Sequence, residues 1–284
     1  SPKIVEKILG QKTIMKKLLV IFGAVAFALV GASMFAAFEA HVVNVTATIE
    51  NALSVPTTPI TFGTVFPQEH LNKSLEVALS GSFLSADRVD DVRYFIRQKP
   101  KCAWSWQVNG VWNMDQNSTQ TGHVIPTLNN PETTPDESNG GTAYTVDCGQ
   151  PTRLDGIPTD ATWGQLPSLC EYISKHPDQD VANDGSLNSF HPSFTVANSQ
   201  VSWTDTAGYL SKLALDTVDN WTIDLAVPCF GGYCAQDWAS FVHGINETAD
   251  PAAYTQPIAN EHKIFGCDLW VEVSGVSQTP VTPG

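Results

Sequence analysis

Hydrophobic and polar positions alternate strictly between His41 and Glu50. Val43, Val45, Ala47 and Ile49 fall on one side of this segment, and Asn, Thr and Glu side chains fall on the other. A period of two predicts a β-strand with one apolar face. Such a strand has to cover that face, so we expect it to pair either within its own sheet or with the sheet of a neighbouring molecule.

Later segments have the same period and are separated by turn residues about every ten positions. The predicted strands are 71–79, 92–99, 194–201, 221–227 and 264–276. Residues 236–245 differ, because Trp238, Phe241, Val242 and Ile245 repeat with the helical spacing. This pattern predicts an all-β fold, an antiparallel Ig-like or jelly-roll sandwich with one short helix.

Residues 103–166 interrupt the pattern, because Asn, Thr, Pro, Gly and Asp crowd the stretch and apolar positions are few. This composition predicts a long loop-rich insertion braced by disulfides. The secreted domain is then expected to span 37–277, and the Pro- and Thr-containing residues 278–284 are expected to form a flexible tail.

The N-terminal region contains one long uncharged run. Met15 is followed by two lysines, by apolar residues 18–38, and by small residues at the far end of that run. This order predicts a secretory signal peptide, with 1–14 as an upstream extension and 1–36 removed on export. A retained membrane anchor is the alternative, since a spanning helix needs about 20 apolar residues.

The charge of the chain limits its partners. The sequence has 15 Lys and Arg against 29 Asp and Glu, a formal net charge of −14. Removing 1–36 takes away five lysines and one glutamate, which leaves 10 basic against 28 acidic residues, or −18. Such a charge favours solubility and disfavours nucleic acid and anionic membranes. We therefore expect neither nucleic acid nor, after signal removal, a membrane as a partner.

The chain has an even number of cysteines, which in an exported protein predicts disulfides. They are Cys102, Cys148, Cys170, Cys229, Cys234 and Cys267. Cys229 could pair with Cys234 around two glycines, or with Cys267 if their flanking strands are neighbours. A zinc site formed by Cys229, Cys234, Cys267 and His262 is a further alternative, although the spacing matches no standard ligand pair.

No catalytic motif is evident. The seven histidines are scattered, and the sequence contains no HExxH pair, no Gly-x-Ser-x-Gly elbow and no nucleotide-binding glycine motif. We therefore expect that the protein is not an enzyme and that it has no cofactor, with the exception of the calcium ion considered next.

Oxygen-bearing side chains recur between His176 and Gly185. Asp178, Asp180 and Asp184 precede the glycine. Because Ca²⁺ takes about six to eight oxygen ligands, this spacing predicts a calcium site. The EF-hand pattern is not met, and an acidic turn without a metal is the alternative.

Two tryptophans lie two residues apart, at Trp104 and Trp106. In an extended segment both indoles would share one face, which is typical of a sugar-stacking platform. Packing in the core or against a sheet is the alternative.

The N-terminal features together resemble the TasA/camelysin family of secreted fibre-forming proteins. The matching parts are the apolar run, the junction 31–39, the strand 42–49 and the sequence Phe-Gly-Thr-Val-Phe-Pro at 62–67. The resemblance implies cleavage after Ala36 and a jelly-roll-like sandwich whose N-terminal strand inserts into the next subunit, as in the similar archaeal bundling pili. The His-Val-Val at 41–43, the cysteines and the long insertion depart from the family pattern.

These observations predict an extracellular structural subunit of a fibre, pilus or biofilm matrix. It would assemble with copies of itself by donating the strand of Val43, Val45, Ala47 and Ile49. The alternative is a monomeric adhesion or carbohydrate-binding module that binds cell-surface components through Trp104 and Trp106.

Overall fold

The structure is a computed structural model that describes residues 48–127, 144–178 and 184–277. The chain divides into two units, Ser1–Ile49 and Glu50–Gly284. The predicted signal peptide, most of the predicted N-terminal strand and the 278–284 tail lie outside the described residues. Residues 48–50, which end that predicted strand, have no regular secondary structure.

The described residues form fourteen strands, which are all antiparallel where they pair in sheets. They are β1 Leu53–Ser54, β2 His70–Leu79, β3 Asp91–Lys99, β4 Lys101–Val108, β5 Val111–Thr121, β6 His123–Pro126, β7 Tyr144–Asp147, β8 Thr162–Gln165, β9 Ile173–His176, β10 Phe194–Ala197, β11 Gln200–Trp203, β12 Asp205–Ser211, β13 Val218–Ala226 and β14 Asp268–Ser277. The predicted all-β sandwich is confirmed.

Two sheets form the body of the sandwich. One has the strand order β1-β2-β13-β9, and the other has the order β12-β3-β14. Every second side chain is buried in β3, in β13 and in β2 from Leu75 onward, as the period-two pattern requires. Their inward residues form one core, which is centred on Val77, Tyr94, Ile96, Trp221 and Ile223.

The predicted helix is confirmed as α2, Trp238–Ile245. Trp238 and Val242 are buried, and Phe241 and Ile245 pack against the core, which is the face that the helical spacing indicated. A second helix, α1 (Gly81–Ser85), was not predicted; the Ser80 side chain caps its first turn. Neither α-helix of the described chain is both long and apolar enough to cross a membrane.

Residues 103–166 differ from the expected loop. The described part of this stretch forms two small sheets, β5-β4-β8 and β6-β7. A hairpin turn at Asn109 and Gly110, with φ values of 52° and 81°, joins β4 to β5. The strands of the insertion were not predicted, because polar, half-exposed strands lack the apolar alternation that identifies a strand in sequence.

The predicted disulfides are confirmed for all six cysteines. Cys102 pairs with Cys148, Cys170 with Cys267, and Cys229 with Cys234. Cys102–Cys148 braces the region 103–166, whereas Cys170 joins the start of β14 instead. The alternative Cys229–Cys267 pair is wrong, and so is the zinc site, because none of its cysteines is a free thiol.

Candidate functional site

The last strand, β14, forms the open edge of its sheet. It pairs with β3 along one side, and no described strand pairs with its other side. The register places Val271 opposite Ile96 and Val273 opposite Tyr94, so both valines face the inside of the sandwich. Val271 is half-buried, but Val273 is 46% exposed. An inward-facing valine is therefore left partly uncovered at this edge.

The facing edge of the other sheet is formed by β1, which is only two residues long. Leu53 pairs with Leu79 and Ser54 with Ala78, so β1 covers only the end of β2. Pro56 follows two residues later, and proline has no N–H with which to extend the ladder. The position of Pro56 therefore explains why this sheet edge stays short.

A groove of about 600 Å³ lies between these two edges. Its volume is within the range of about 300–1,000 Å³ that is usual for ligand pockets. The lining residues come from β1 and its flanks, from the start of α1 and from β14; they are Glu50, Asn51, Ala52, Leu53, Ser54, Val55, Ser80, Gly81, Ser82, Val271 and Val273. We call this feature the edge groove.

Hydrogen bonds fix the wall of the edge groove at the start of α1. The Ser80 hydroxyl donates to the Asn51 carbonyl at 2.6 Å, and the Ser80 N–H donates to the Ala52 carbonyl at 2.9 Å. The chain is thereby held where it enters the body of the sandwich. Just before this point Ile49 is 94% exposed, so its apolar side chain is not buried in the described structure.

The outer face of β14 is held by charged side chains. Glu272 accepts from Arg97 at 2.5 Å and from Lys99 at 2.7 Å, and Lys99 Nζ lies 3.6 Å from the centroid of the Trp270 ring. Lys101 bridges to Asp268 at 2.7 Å. The Arg97 and Lys99 contacts bind β14 to β3, and the Lys101 contact binds it to β4.

The predicted calcium ligands do not form a complete site among the described residues. Asp180 lies outside them. The Asp178 carboxylate accepts from the Asn220 backbone and side chain at 3.3 Å, and Asp184 accepts from the Tyr209 N–H at 2.8 Å. In the described ranges no group of three or more His, Cys, Asp or Glu side chains is arranged to hold a metal ion.

Asp184 instead belongs to a buried acidic group with Asp219. Burial raises the pKa of Asp184 to about 6 and that of Asp219 to about 8, and the neighbouring carboxylates Asp178 and Asp216 raise both further. The Tyr94 hydroxyl donates to Asp219 Oδ2, and the Trp221 indole N–H donates to the Tyr94 oxygen at 2.7 Å. These contacts join the two sheets through the core.

The two tryptophans expected to bind sugar are not both available. Trp104 is only 9% exposed; it packs against Trp163 with ring centroids 5.7 Å apart, and the Arg153 guanidinium lies 4.5 Å from its ring centre. Trp106 is half-buried. The structure therefore places Trp104 in packing and does not form an exposed platform from the pair.

The sequence reasoning found half of the edge groove. It predicted a strand at 264–276, which contains β14, but it did not identify Leu53, Val55 or the start of α1 as neighbours of that strand. Pro56, which ends β1, was the available signal. Comparison with family models, with curated proteins and with solved structures found no match to this chain.

Proposed function

We propose that this protein is an extracellular structural subunit that polymerises when the N-terminal strand of one copy enters the edge groove of the next. The observation that carries the proposal is the inward-facing but exposed Val273, on a strand edge with which no described strand pairs. A strand added there would complete the sandwich between β1 and β14.

The chemistry of the two partners is complementary. An added strand makes main-chain hydrogen bonds to a free sheet edge and places alternate side chains into pockets. The segment 43–49 supplies Val43, Val45, Ala47 and Ile49 at that spacing. Fully burying three such aliphatic side chains contributes on the order of 5 kcal/mol before ordering costs.

Three further features support an extracellular fibre. The predicted signal peptide directs the chain out of the cell and its removal would free the strand. The three disulfides are typical of an oxidising compartment. Ile49, the last of the four apolar residues of the segment, is 94% exposed and so is available for contact with a second molecule.

The first test uses the mature protein from Ala37, concentrated and examined by electron microscopy and sedimentation velocity. Wild type is expected to form fibres. Val45→Asp should prevent the donor strand from binding, and Val273→Asp should prevent the groove from accepting a strand. Each substitution places a charge where an apolar contact is required. Both variants should remain folded monomers, as checked by circular dichroism. Val111→Asp is the matched control, since Val111 is 64% exposed on β5, in another sheet, and does not line the groove.

The decisive experiment mixes the Val45→Asp variant with the Val273→Asp variant. Val45→Asp retains a groove without a competent strand, and Val273→Asp retains a strand without a competent groove. The mixture should therefore form a heterodimer and stop there. Pairing of the strand within its own molecule predicts a monomeric wild type and no heterodimer, and either result would refute strand donation.

The adhesion alternative predicts a different result. A monomeric module would be retained on polysaccharide and would lose retention in Trp104→Ala or Trp106→Ala. The burial of Trp104 does not favour this reading. Calcium binding stays a prediction, with Asp180 outside the described residues.

A further inference from the structure

Lys175 and Gln98 meet in the core between the two sheets. Lys175 lies on β9 and Gln98 on β3, and both side chains are 0% exposed. The Lys175 Nζ atom is 2.5 Å from Gln98 Oε1. With a C=O bond of about 1.23 Å, Nζ lies at most about 3.7 Å from the Gln98 carbonyl carbon. That separation is close to the approximately 3–3.5 Å of a reactive pair.

The Gln98 amide is held in one orientation. Its Nε2 donates to the Cys170 carbonyl at 2.7 Å and to the Ile173 carbonyl at 3.1 Å. Both amide hydrogens are used, so the Oε1 atom must point to Lys175. The carbonyl group is therefore presented to the amine and cannot rotate without losing two buried hydrogen bonds.

The Lys175 amine is set up as a nucleophile. Among the ion pairs of the described chain none involves Lys175, and a buried unpaired ammonium is costly. Burial lowers the pKa of Lys175 to about 7, although the charge of Asp205 opposes this shift. A large fraction of the amine is thus neutral near pH 7, the form that attacks a carbonyl.

His191 contacts the same oxygen. Its Nε2 lies 2.9 Å from Gln98 Oε1, and its Nδ1 lies 2.7 Å from the Asn188 carbonyl. Burial and the nearby Lys175 charge lower the pKa of His191 to about 3. The His191 ring is therefore neutral near pH 7, and in the tautomer with its proton on Nε2 it donates to Gln98 Oε1.

We propose that Lys175 and Gln98 form an intramolecular isopeptide bond, with His191 stabilising the negative charge that develops on Oε1. The Nζ lone pair bonds to the Gln98 carbonyl carbon, and the bond from that carbon to Nε2 breaks. One Nζ proton passes to the departing nitrogen, which leaves as ammonia. Amine and primary amide become a secondary amide and ammonia, so no oxidant or second reactant is required.

The product would connect the two sheets of the sandwich covalently. It would also replace a buried titratable amine by a neutral amide, which removes the desolvation cost of the charge. The bond would resist a force that pulls the sheets apart, independently of how the subunits assemble.

The test is mass spectrometry of the mature wild-type protein after full reduction, alkylation and denaturation. The expected intact mass is lower than the sequence mass by one ammonia, about 17 Da. A tryptic digest should contain the peptide that begins at Gln98 joined to the peptide that contains Lys175, with no cleavage after Lys175. Recovery of both peptides only in linear form, with the full sequence mass, would overturn the proposal. This result can be read on wild type alone.

Two variants sharpen the assignment. Lys175→Met should restore the full mass, and it separates the cross-link from cyclisation at Asn109-Gly110, which loses the same mass but does not need Lys175. His191→Gln should slow cross-linking by at least about tenfold, measured as the linked fraction at successive times after translation. An unchanged rate would overturn the role of His191.

Discussion

The Asp219 carboxyl group is enclosed by the core of the sandwich and is only 2% exposed. It accepts from Tyr94, which in turn accepts from Trp221. Burial disfavours the charged carboxylate, and the nearby carboxyl groups of Asp184, Asp216 and Asp178 disfavour it further. Together they raise the pKa of Asp219 to about 8, well above the ordinary value of about 3.9. Between about pH 4 and pH 8 the folded protein therefore keeps Asp219 protonated, whereas the unfolded chain releases this proton near pH 4.

This difference fixes the sign of a pH effect. Between about pH 4 and pH 8 the folded state binds more protons at this site than the unfolded state, so the contribution of Asp219 to stability falls as the pH rises. Each pKa unit corresponds to about 1.4 kcal/mol. Asp219→Asn cannot ionise, and its amide oxygen can still accept from Tyr94. We expect the variant to gain stability relative to wild type from pH 4 to pH 8, by up to a few kcal/mol.

Urea unfolding at pH 4, 6 and 8 measures this gain as a difference between variant and wild type, which cancels the titration of all groups that the substitution leaves unchanged. Asp224→Asn is the matched control on the same strand, because the Asp224 side chain is 28% exposed. If the stability difference between Asp219→Asn and wild type does not change with pH, the conclusion that Asp219 is protonated in the folded state is wrong.

At the scale of elements, the pairing of β12 with β3 depends on a glycine. Gly208 is opposite Tyr94 in the register. A Cβ at Gly208 would lie 2.6 Å from Tyr94 Cε2, and closer still to the ring carbon that bears the hydroxyl. The Tyr94 ring is 0% exposed and its hydroxyl is hydrogen-bonded, so it cannot move aside without loss.

Gly208→Ala is therefore expected to destabilise the fold by about 1–3 kcal/mol, the usual effect of overpacking a core. Gly275→Ala on β14 is the matched control, because a Cβ there meets nothing within 4 Å. That change should be neutral or slightly stabilising. Thermal unfolding of the two variants checks the difference, and equal melting temperatures would show that the Tyr94 ring has room to shift.

The elements that could be predicted from sequence are those with one buried and one exposed face. Strands β2 and β3 and helix α2 have such faces, and their periods identify them. Strand β12 was missed because its inward positions are Thr206, Gly208 and Leu210, of which only Leu210 is a large apolar residue, so the alternation is hidden. Residues 194–201 were predicted as one strand but form parts of two, since Asn198 and Ser199 adopt positive φ values and turn the chain between β10 and β11.

The candidate sites were predicted less completely for a related reason. A groove between sheet edges depends on which strands become edges, and this follows from long-range pairing that local periods do not encode. The Lys175, Gln98 and His191 side chains come from segments that are distant in the sequence. In addition, a lysine within a strand pattern predicts a solvent-facing position. The burial of Lys175 is a consequence of the sandwich and not of its own segment.

At the scale of the whole molecule, the disulfides differ in how much chain they enclose. Cys170–Cys267 spans 97 residues and joins the region before β9 to the start of β14, so it connects the two sheets. Cys229–Cys234 spans only five residues within one loop. A cross-link that closes a longer loop removes more conformational entropy from the unfolded chain.

The chain-entropy relation gives about 4.7 kcal/mol for the 97-residue separation and about 2 kcal/mol for the five-residue one. Replacing both Cys170 and Cys267 by alanine should therefore lower the free energy of unfolding more than replacing both Cys229 and Cys234. Urea unfolding of the two double variants measures the ranking, and Cys170 and Cys229 are both buried, so the loss of side-chain packing is similar. The contrary result is an equal loss of unfolding free energy in the two double variants, or a larger loss for the Cys229 and Cys234 pair. It would show that local strain or native packing determines how these bonds stabilise the sandwich, and that loop closure does not.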